Sequence, residues 1–262
     1  MSEERKFDAK SAKGMEAMYQ TPDVVAQRRA VLDALDLRPG EHVLDIGVGP
    51  GLLLAEMAQE VGPGGVVRGI DLSPDMVAMA EARAANVAHV AVAIAPATAL
   101  PFPDASFDAA TATQVYLYVP ELELALRELH RVLKPGGRAL VLDSDWDSVV
   151  WHTEDRARMA RVLEVWERHF HDGRIARRLP AALKRAGFEL ERASVSPIVN
   201  VGYDEATYSA SMIRSIRAFV AEKDGIGREE AGAWAEELRA RGRDGSYFFS
   251  LNRYLFLVRK PR

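Results

Sequence analysis

The stretch Val43–Gly51, VLDIGVGPG, joins a short apolar run to glycine at every second position. His42–Ile46 reads as a strand, and Leu52–Val61 as a helix closed by the turn residues Gly62-Pro63-Gly64-Gly65. A glycine-rich loop between a strand and a helix is where a nucleotide-like ligand meets backbone N–H groups. Without Cβ atoms the chain can turn sharply and a ligand can press close. Gly47, Gly49 and Gly51 follow Asp45 in the pattern Asp-x-Gly-x-Gly-x-Gly. A dinucleotide fingerprint, Gly-x-Gly-x-x-Gly, would need its third glycine at Leu52, and the Gly-Lys-Ser/Thr of a phosphate-cradling P-loop is missing. The loop fits neither motif.

Working outward, Thr21-Pro22-Asp23 has the form of an N-cap with proline at the first helical position, opening a helix over Val24–Leu35. Downstream, strands at Val66–Ile70, His89–Ala95, Phe107–Tyr116 and Arg138–Asp143 alternate with helices. One helix is capped by Ser73-Pro74 and runs to about Asn86; the other is strongly amphipathic over Leu122–Leu133 and stopped by Lys134-Pro135-Gly136-Gly137. After Asp143 the rhythm changes. Trp146–Gly173 reads as inserted helix, Leu179–Ala186 as helix, Phe188–Val199 as strand, Asp204–Arg241 as helix and Tyr247–Val258 as a long final strand.

This order predicts an α/β fold: a Rossmann-like, seven-stranded, mostly parallel sheet with an antiparallel last strand, helices on both faces, and a helical cap from the N-terminus and inserts. The expectation is a single domain over 1–262. Its core covers about 37–145, 176–202 and 246–262; its cap comes from 1–36, 146–175 and 203–245. Ligands in such sheets bind at the carboxyl ends of the strands.

Composition narrows the function. Hydrophobic residues at 48% and charged residues at 27% make an ordinary globular chain. A formal net charge of −4 without a strong basic block argues against nucleic acid as a partner. No apolar run is long enough to span a bilayer, and Met1–Lys10 lacks the apolar segment of a signal peptide, so the cytoplasm is the expected location. The absence of cysteine excludes disulfides, thiolate nucleophiles and cysteine metal sites. No metal site is expected, and a homodimer is an open expectation.

The second strand ends Gly69-Ile70-Asp71, and an acid there can accept both hydroxyl hydrogen bonds of a ribose. With it, GIDLSPDMVAMA, ALPFPDASFDAATATQVYLYV and LRELHRVLKPGGRALVLD join VLDIGVGPG in a set that resembles the class I S-adenosylmethionine-dependent methyltransferases. The similarity is to the small-molecule branch that includes the quinone-biosynthesis C-methyltransferases, and it covers roughly Tyr19 to Gly187. It implies S-adenosylmethionine as cofactor. Gly47, Gly49 and Gly51 would lie under its methionine part, Asp71 would hold the ribose hydroxyls, and Leu72 and Met76 would flank the adenine. Ala97 and Thr98 would meet the adenine edge, and Gln114 and Val115 would line the sulfonium end. Pro96 stands where members of that family often carry an aspartate that receives the adenine amino group.

Other candidates come from the residues themselves. Val24, Val25, Val31, Leu32 and Leu35 define an apolar helix face with Arg28 at its middle. A buried arginine calls for an anion, either the cofactor's carboxylate or a protein carboxylate such as Asp45. Tyr19, just upstream, could close over the same end of the cofactor. Methyl transfer from a sulfonium needs alignment and exclusion of water, and a base only if the acceptor holds a proton. His152, His169, His171, Tyr116, Asp143 and Asp145 are base candidates, none of them assigned as catalytic; His130 reads as surface. Tyr116, Tyr118, Trp146, Trp151, Trp166, Phe170, Tyr203, Tyr208, Met212 and Phe219 supply an apolar, aromatic set suited to a small-molecule acceptor, with at least half of them expected merely to pack the cap. The expected reaction is methylation of carbon, oxygen or nitrogen on an aromatic or natural-product-like molecule, as in secondary metabolism. An NAD(P)-dependent oxidoreductase and a non-catalytic, cofactor-binding partner protein stay open beside it.

Overall fold

A computed structural model describes residues 9–262, the side chains from residue 14 onward. Residues 1–8 of the expected cap lie outside the described residues. Eight strands form one sheet: β1 (His42–Ile46), β2 (Val66–Asp71), β3 (Val90–Ile94), β4 (Phe107–Thr113), β5 (Leu133–Ser144), β6 (Val150–Trp151), β7 (Glu189–Val201) and β8 (Phe248–Arg259). They lie in the order β3-β2-β1-β4-β5-β8, and β6 and β7 both pair with β8. β1 to β5 are mutually parallel, while β8 runs antiparallel to β5, β6 and β7. Among the described residues the sheet therefore has eight strands, where the sequence predicts seven. The extra one, β6, is a two-residue strand held only by Ser250 and Phe249 of β8. Such a strand owes its existence to a distant partner and has no local signal.

Nine helices accompany the sheet among the described residues: α1 (Ala9–Tyr19), α2 (Pro22–Leu35), α3 (Leu52–Val61), α4 (Pro74–Ala84), α5 (Leu122–Val132), α6 (Arg156–Glu167), α7 (Ile175–Arg185), α8 (Tyr208–Val220) and α9 (Arg228–Arg243). Alternation along the strands sorts side chains between the two faces. Val43, Leu140, Leu142 and Leu255 pack with α2 and α3 residues such as Val31, Leu35 and Met57. Leu44, Ile46, Val141 and Phe256 pack with Leu126 and Leu129 of α5 and Leu179 of α7. Both faces of the parallel strands are thus covered, which explains their near-continuous apolar sequence. Asp45 interrupts that run and is 1% exposed.

Ile213, Ile216, Trp234 and Leu238 of α8 and α9 are fully buried, and α8 packs against α1, α2, α6 and α9. Several boundaries differ from expectation: Asp204–Arg241 is split into α8 and α9, Trp146–Gly173 holds β6 as well as α6, and two shifts lie near the strand ends. β4 stops at Thr113 because Gln114 turns to φ 58, and Tyr116–Tyr118 form a 3-10 turn instead of continuing the strand. β5 begins at Leu133, pairs with Phe107, and resumes at Arg138 opposite Ala109 after an irregularity that holds Gly136 at φ 77.

Candidate active site

The glycine loop sits at the carboxyl end of β1, between the directions taken by β2 and β4. Gly47, Gly49 and Gly51 have φ of 71°, 52° and 80°, a region that costs L-residues with a Cβ. Two of the three are also fixed by close approach. A Cβ on Gly47 would lie 2.4 Å from Val115 Cγ2, and one on Gly51 would lie 2.8 Å from the Cα of Ala80 on α4. Gly49 differs: a Cβ there would meet only the Tyr19 ring, at 3.7 Å, and would project into the space between ring and loop.

The loop's donors point inward, contrary to the sequence expectation that they face a ligand. The N–H groups of Gly47 and Val48 both donate to the Ile70 carbonyl, Gly49 donates to Asp71 Oδ2, and Gly51 donates to the Val48 carbonyl. Pro50 has no N–H. Parallel pairing of β1 with β2 brings Ile70 beside Ile46 and directs the loop back onto the second strand. The N–H groups of this loop are thus already bonded within the protein.

Asp71, at the end of β2, is anchored through both oxygens: Gly49 N–H donates to Oδ2 and Ser73 N–H to Oδ1, each at 2.9 Å. A carboxylate accepts up to about four hydrogen bonds, so both oxygens retain capacity. Next to it Leu72 is 67% exposed, and Ile94, paired with Asp71 across β2–β3, is 57% exposed. Met76 is buried on α4, whose N-cap Ser73 accepts from Met76 N–H. Ala97 is buried and Thr98 half-buried in the turn after β3. Ala95 N–H donates to the Asp71 carbonyl and Ala99 N–H to the Pro96 carbonyl, while Ala97 N–H has no protein acceptor among the described residues.

Gln114 and Val115 follow β4 on the other side of β1. Gln114 N–H donates to the Leu142 carbonyl, and its side-chain oxygen accepts from Ser144 Oγ at 2.7 Å. Whichever way the amide is turned, its other end lacks a partner. Its φ of 58° is an uncommon state for a residue with a side chain, in keeping with a functional position.

Tyr19 ends α1 with its ring over Gly49. Burial, followed by the nearby phenols of Tyr118 and Tyr208, pushes its hydroxyl above the usual tyrosine range and keeps it neutral. Arg28 is buried with Val24, Val31, Leu32 and Leu35, whereas Val25 lies outside that face, 44% exposed. The arginine's protein counter-ion is Glu56 on α3, not Asp45: Nε and Nη2 both lie 3.0 Å from Glu56 Oε1, and Nη1 donates to the Tyr19 carbonyl at 2.5 Å.

Asp45 is left alone. Its Oδ1 has no partner, nor has the Oγ1 of Thr111, its cross-strand neighbour on β4. Burial, followed by repulsion from Asp71, raises its pKa to about 8.

The base candidates do not converge. His152 and His171 are exposed, and His152 Nδ1 bonds the Ser246 carbonyl. His169 stacks on Trp166 with ring centroids 4.2 Å apart. Asp145 is paired with Arg177. The Asp143 carboxyl accepts from Tyr116 N–H, and burial lifts its pKa well above the carboxylate range. Tyr116 is itself fully buried, which raises its hydroxyl pKa further. His130, expected at the surface, is half-buried edge-on against Phe188, because Gly187 lets the following strand approach its ring. Many of the aromatic side chains pack on one another: Trp146 stacks on Phe170, Trp166 meets Phe219 edge-on, and Trp151 donates to the Tyr247 hydroxyl. Sequence reading missed Arg253, buried at 3% on β8. The signal was present: the alternation Phe249, Leu251, Arg253, Leu255 places it on an apolar face.

Residues 44–141 match the family described as "Methyltransferase domain". An uncharacterized 37.1 kDa protein in transposon TN4556 of Streptomyces fradiae is 37% identical over 191 residues, 72% of this chain and 55% of that protein. The demethylmenaquinone methyltransferase of Thermus thermophilus is 44% identical over 122 residues, 46% of this chain and 54% of the enzyme. The chain thus spans about half the length of these curated relatives. Among solved structures, that of the 4+2 cyclase SpnF superposes with a TM-score of 0.61 at 26% identity, over 91% of this chain and 81% of that one. Residues 44–141 thus match a methyltransferase domain, and over that part the chain resembles the quinone-biosynthesis C-methyltransferases.

Proposed function

We propose that the protein transfers the methyl group of S-adenosylmethionine to a small acceptor, aromatic or natural-product-like, on carbon, oxygen or nitrogen. The observation that carries this reading is the pairing of Asp71, anchored and with acceptor capacity left, with a loop whose N–H groups are all bonded within the protein. Together they suit a ligand held by its ribose hydroxyls without a phosphate, which favours this cofactor over NAD(P).

Other features fit the same group. Exposed Leu72 with buried Met76 offers an apolar clamp for a flat base, and the Ala97 N–H offers a donor to its edge, with Thr98 beside it. Gly49 leaves room where a Cβ would intrude, and Tyr19 covers that room. Arg28 holds Tyr19 in place through its carbonyl and has donor capacity for a carboxylate. When bound, the cofactor supplies a methyl group already activated on sulfonium sulfur. The protein's part is to line that end with Gln114 and Val115, align the acceptor and exclude water.

In this proposal no side chain is assigned as base. The protein acts in the cytoplasm, in secondary metabolism, without nucleic acid as substrate, and two copies associate through the edge strand β7, where Leu190, Val195, Val199 and Val201 are exposed. Sedimentation velocity tests that association. No helix among the described residues is long and apolar enough to cross a membrane.

The test is incubation with S-adenosylmethionine carrying a deuterated methyl group and an extract of small metabolites, read by mass spectrometry. Label in a small molecule is the expected result. Label confined to protein or nucleic acid would contradict the acceptor class. The likeness to a protein described as a cyclase favours one second reading, a bound cofactor without methyl transfer. Cofactor binding with no labelled product of any size would support it.

A further inference from the structure

Arg253 stands on β8 as the cross-strand partner of Ser144, at the carboxyl end of β5. It is 3% exposed, yet it makes no ion pair with any described residue. Its one side-chain hydrogen bond among the described residues goes from Nη1 to the side-chain amide oxygen of Gln27 on α2, and its guanidinium lies 4.5 Å over the Tyr208 ring. Its Nε has no partner. Arg28, also buried, shows the contrast: it has Glu56. A desolvated cation without an anion is among the costlier arrangements in a protein interior.

The neighbouring groups sharpen the point. Ser144 donates to Gln114, so the cluster holds two orphaned buried N–H groups, Arg253 Nε and Gln114 Nε2. Asp143, the next carboxyl along β5, pairs with Tyr254 and so faces the other side of the sheet, where it accepts from Tyr116 N–H. Asp143 is near enough for Arg253 to act on it electrostatically, but among the described residues neither orphaned donor has a hydrogen-bond partner.

The backbone of β8 lies apart from the glycine loop, while the Arg253 guanidinium is close enough to the Tyr19 hydroxyl to act on it electrostatically. β8 is three strands from β1, roughly 14 Å, and two strands from β4, which Gln114 follows, roughly 10 Å. The second distance is about that across a substituted bicyclic ring. We propose that Arg253 binds an oxyanion of the methyl acceptor, a carboxylate or an ionised hydroxyl, and so orients the acceptor with its reacting atom toward Gln114. This rests on the methyl-transfer reading for the place of the reacting atom; the anion site stands on the geometry of Arg253 alone.

The experiment uses the full chain, with 2-naphthoate, 2-naphthol and 2-naphthamide as probes. Each is titrated calorimetrically with and without S-adenosylhomocysteine, against the natural protein, Arg253→Met and Arg253→Lys. Melting temperatures are measured without ligand. The expected result is naphthoate or ionised naphthol bound at least about tenfold more tightly than the amide, a preference that Arg253→Met erases. Arg253→Met should also melt higher than the natural protein when no ligand is present, since a buried unpaired charge is gone. The two anions separate a carboxylate acceptor from a hydroxyl one.

Equal binding of the anions and the amide would overturn the proposal. So would a preference that survives in Arg253→Met, or a fall in its melting temperature with S-adenosylhomocysteine affinity intact. Should Arg253→Met not fold, Arg253→Lys decides: it keeps the charge and loses the fork, so the preference must shrink while S-adenosylhomocysteine affinity holds. Absent S-adenosylhomocysteine binding by the natural protein would sink the methyl-transfer reading and leave the anion preference to be judged separately.

Discussion

At the residue scale, three glycines of one motif do different work. Gly51 is pressed against the backbone of α4 and Gly47 against Val115, so their missing Cβ atoms serve the fold; Gly49 faces only the Tyr19 ring. Gly51→Ala should therefore lower the melting temperature sharply, through left-handed strain and a backbone clash. Gly49→Ala should cost only the strain, about 1–2 kcal/mol, and instead weaken cofactor binding by filling the cradle. Melting curves and calorimetry on both variants check this; the same profile for the two would refute the division.

Asp45 gives a second test at this scale. Its folded pKa of about 8 stands above the ordinary 3.8, so between those values the folded chain keeps a proton that the unfolded chain releases. Stability should fall as pH rises from about 4 to about 8 and level off above. Asp45→Asn removes that slope. Chemical denaturation should show the variant gaining on the natural protein by a few kcal/mol between pH 5 and pH 8. A gap that does not change with pH would mean that Asp45 ionises freely.

At the element scale, Arg28 links three helices: it leaves α2, pairs with Glu56 on α3 and bonds the last carbonyl of α1 at Tyr19. Glu56 is about a third exposed, so losing the pair should cost the fold only about 1 kcal/mol. Losing the anchor of Tyr19, and a donor for the cofactor's carboxylate, should cost cofactor affinity about tenfold or more. Arg28→Met, measured for both quantities, separates these roles. Unchanged affinity with a lower melting temperature would remove Arg28 from the site and leave it as a tie between helices.

At the scale of the whole molecule, the order of elements was legible because each obeys a local rule. The strands of the first half are short apolar runs, α5 keeps one apolar stripe, and Ser73-Pro74 and Thr21-Pro22 announce α4 and α2. What escaped depends on partners far away in sequence. β6 exists only against β8, Glu56 becomes a counter-ion only once α2 and α3 pack, and the loop donors turn inward because β2 lies beside them. The positions of Asp71 and the glycines were readable, but the direction of their hydrogen bonds was not. That direction is what now argues for a phosphate-free ligand.

The central claim is that this loop and Asp71 hold S-adenosylmethionine and not a dinucleotide. Isothermal titration of the full chain with S-adenosylhomocysteine and, in parallel, with NAD and NADH tests it most directly. The account predicts saturable binding of S-adenosylhomocysteine and none of either dinucleotide. Tight binding of NAD or NADH, with no response to S-adenosylhomocysteine, would contradict it.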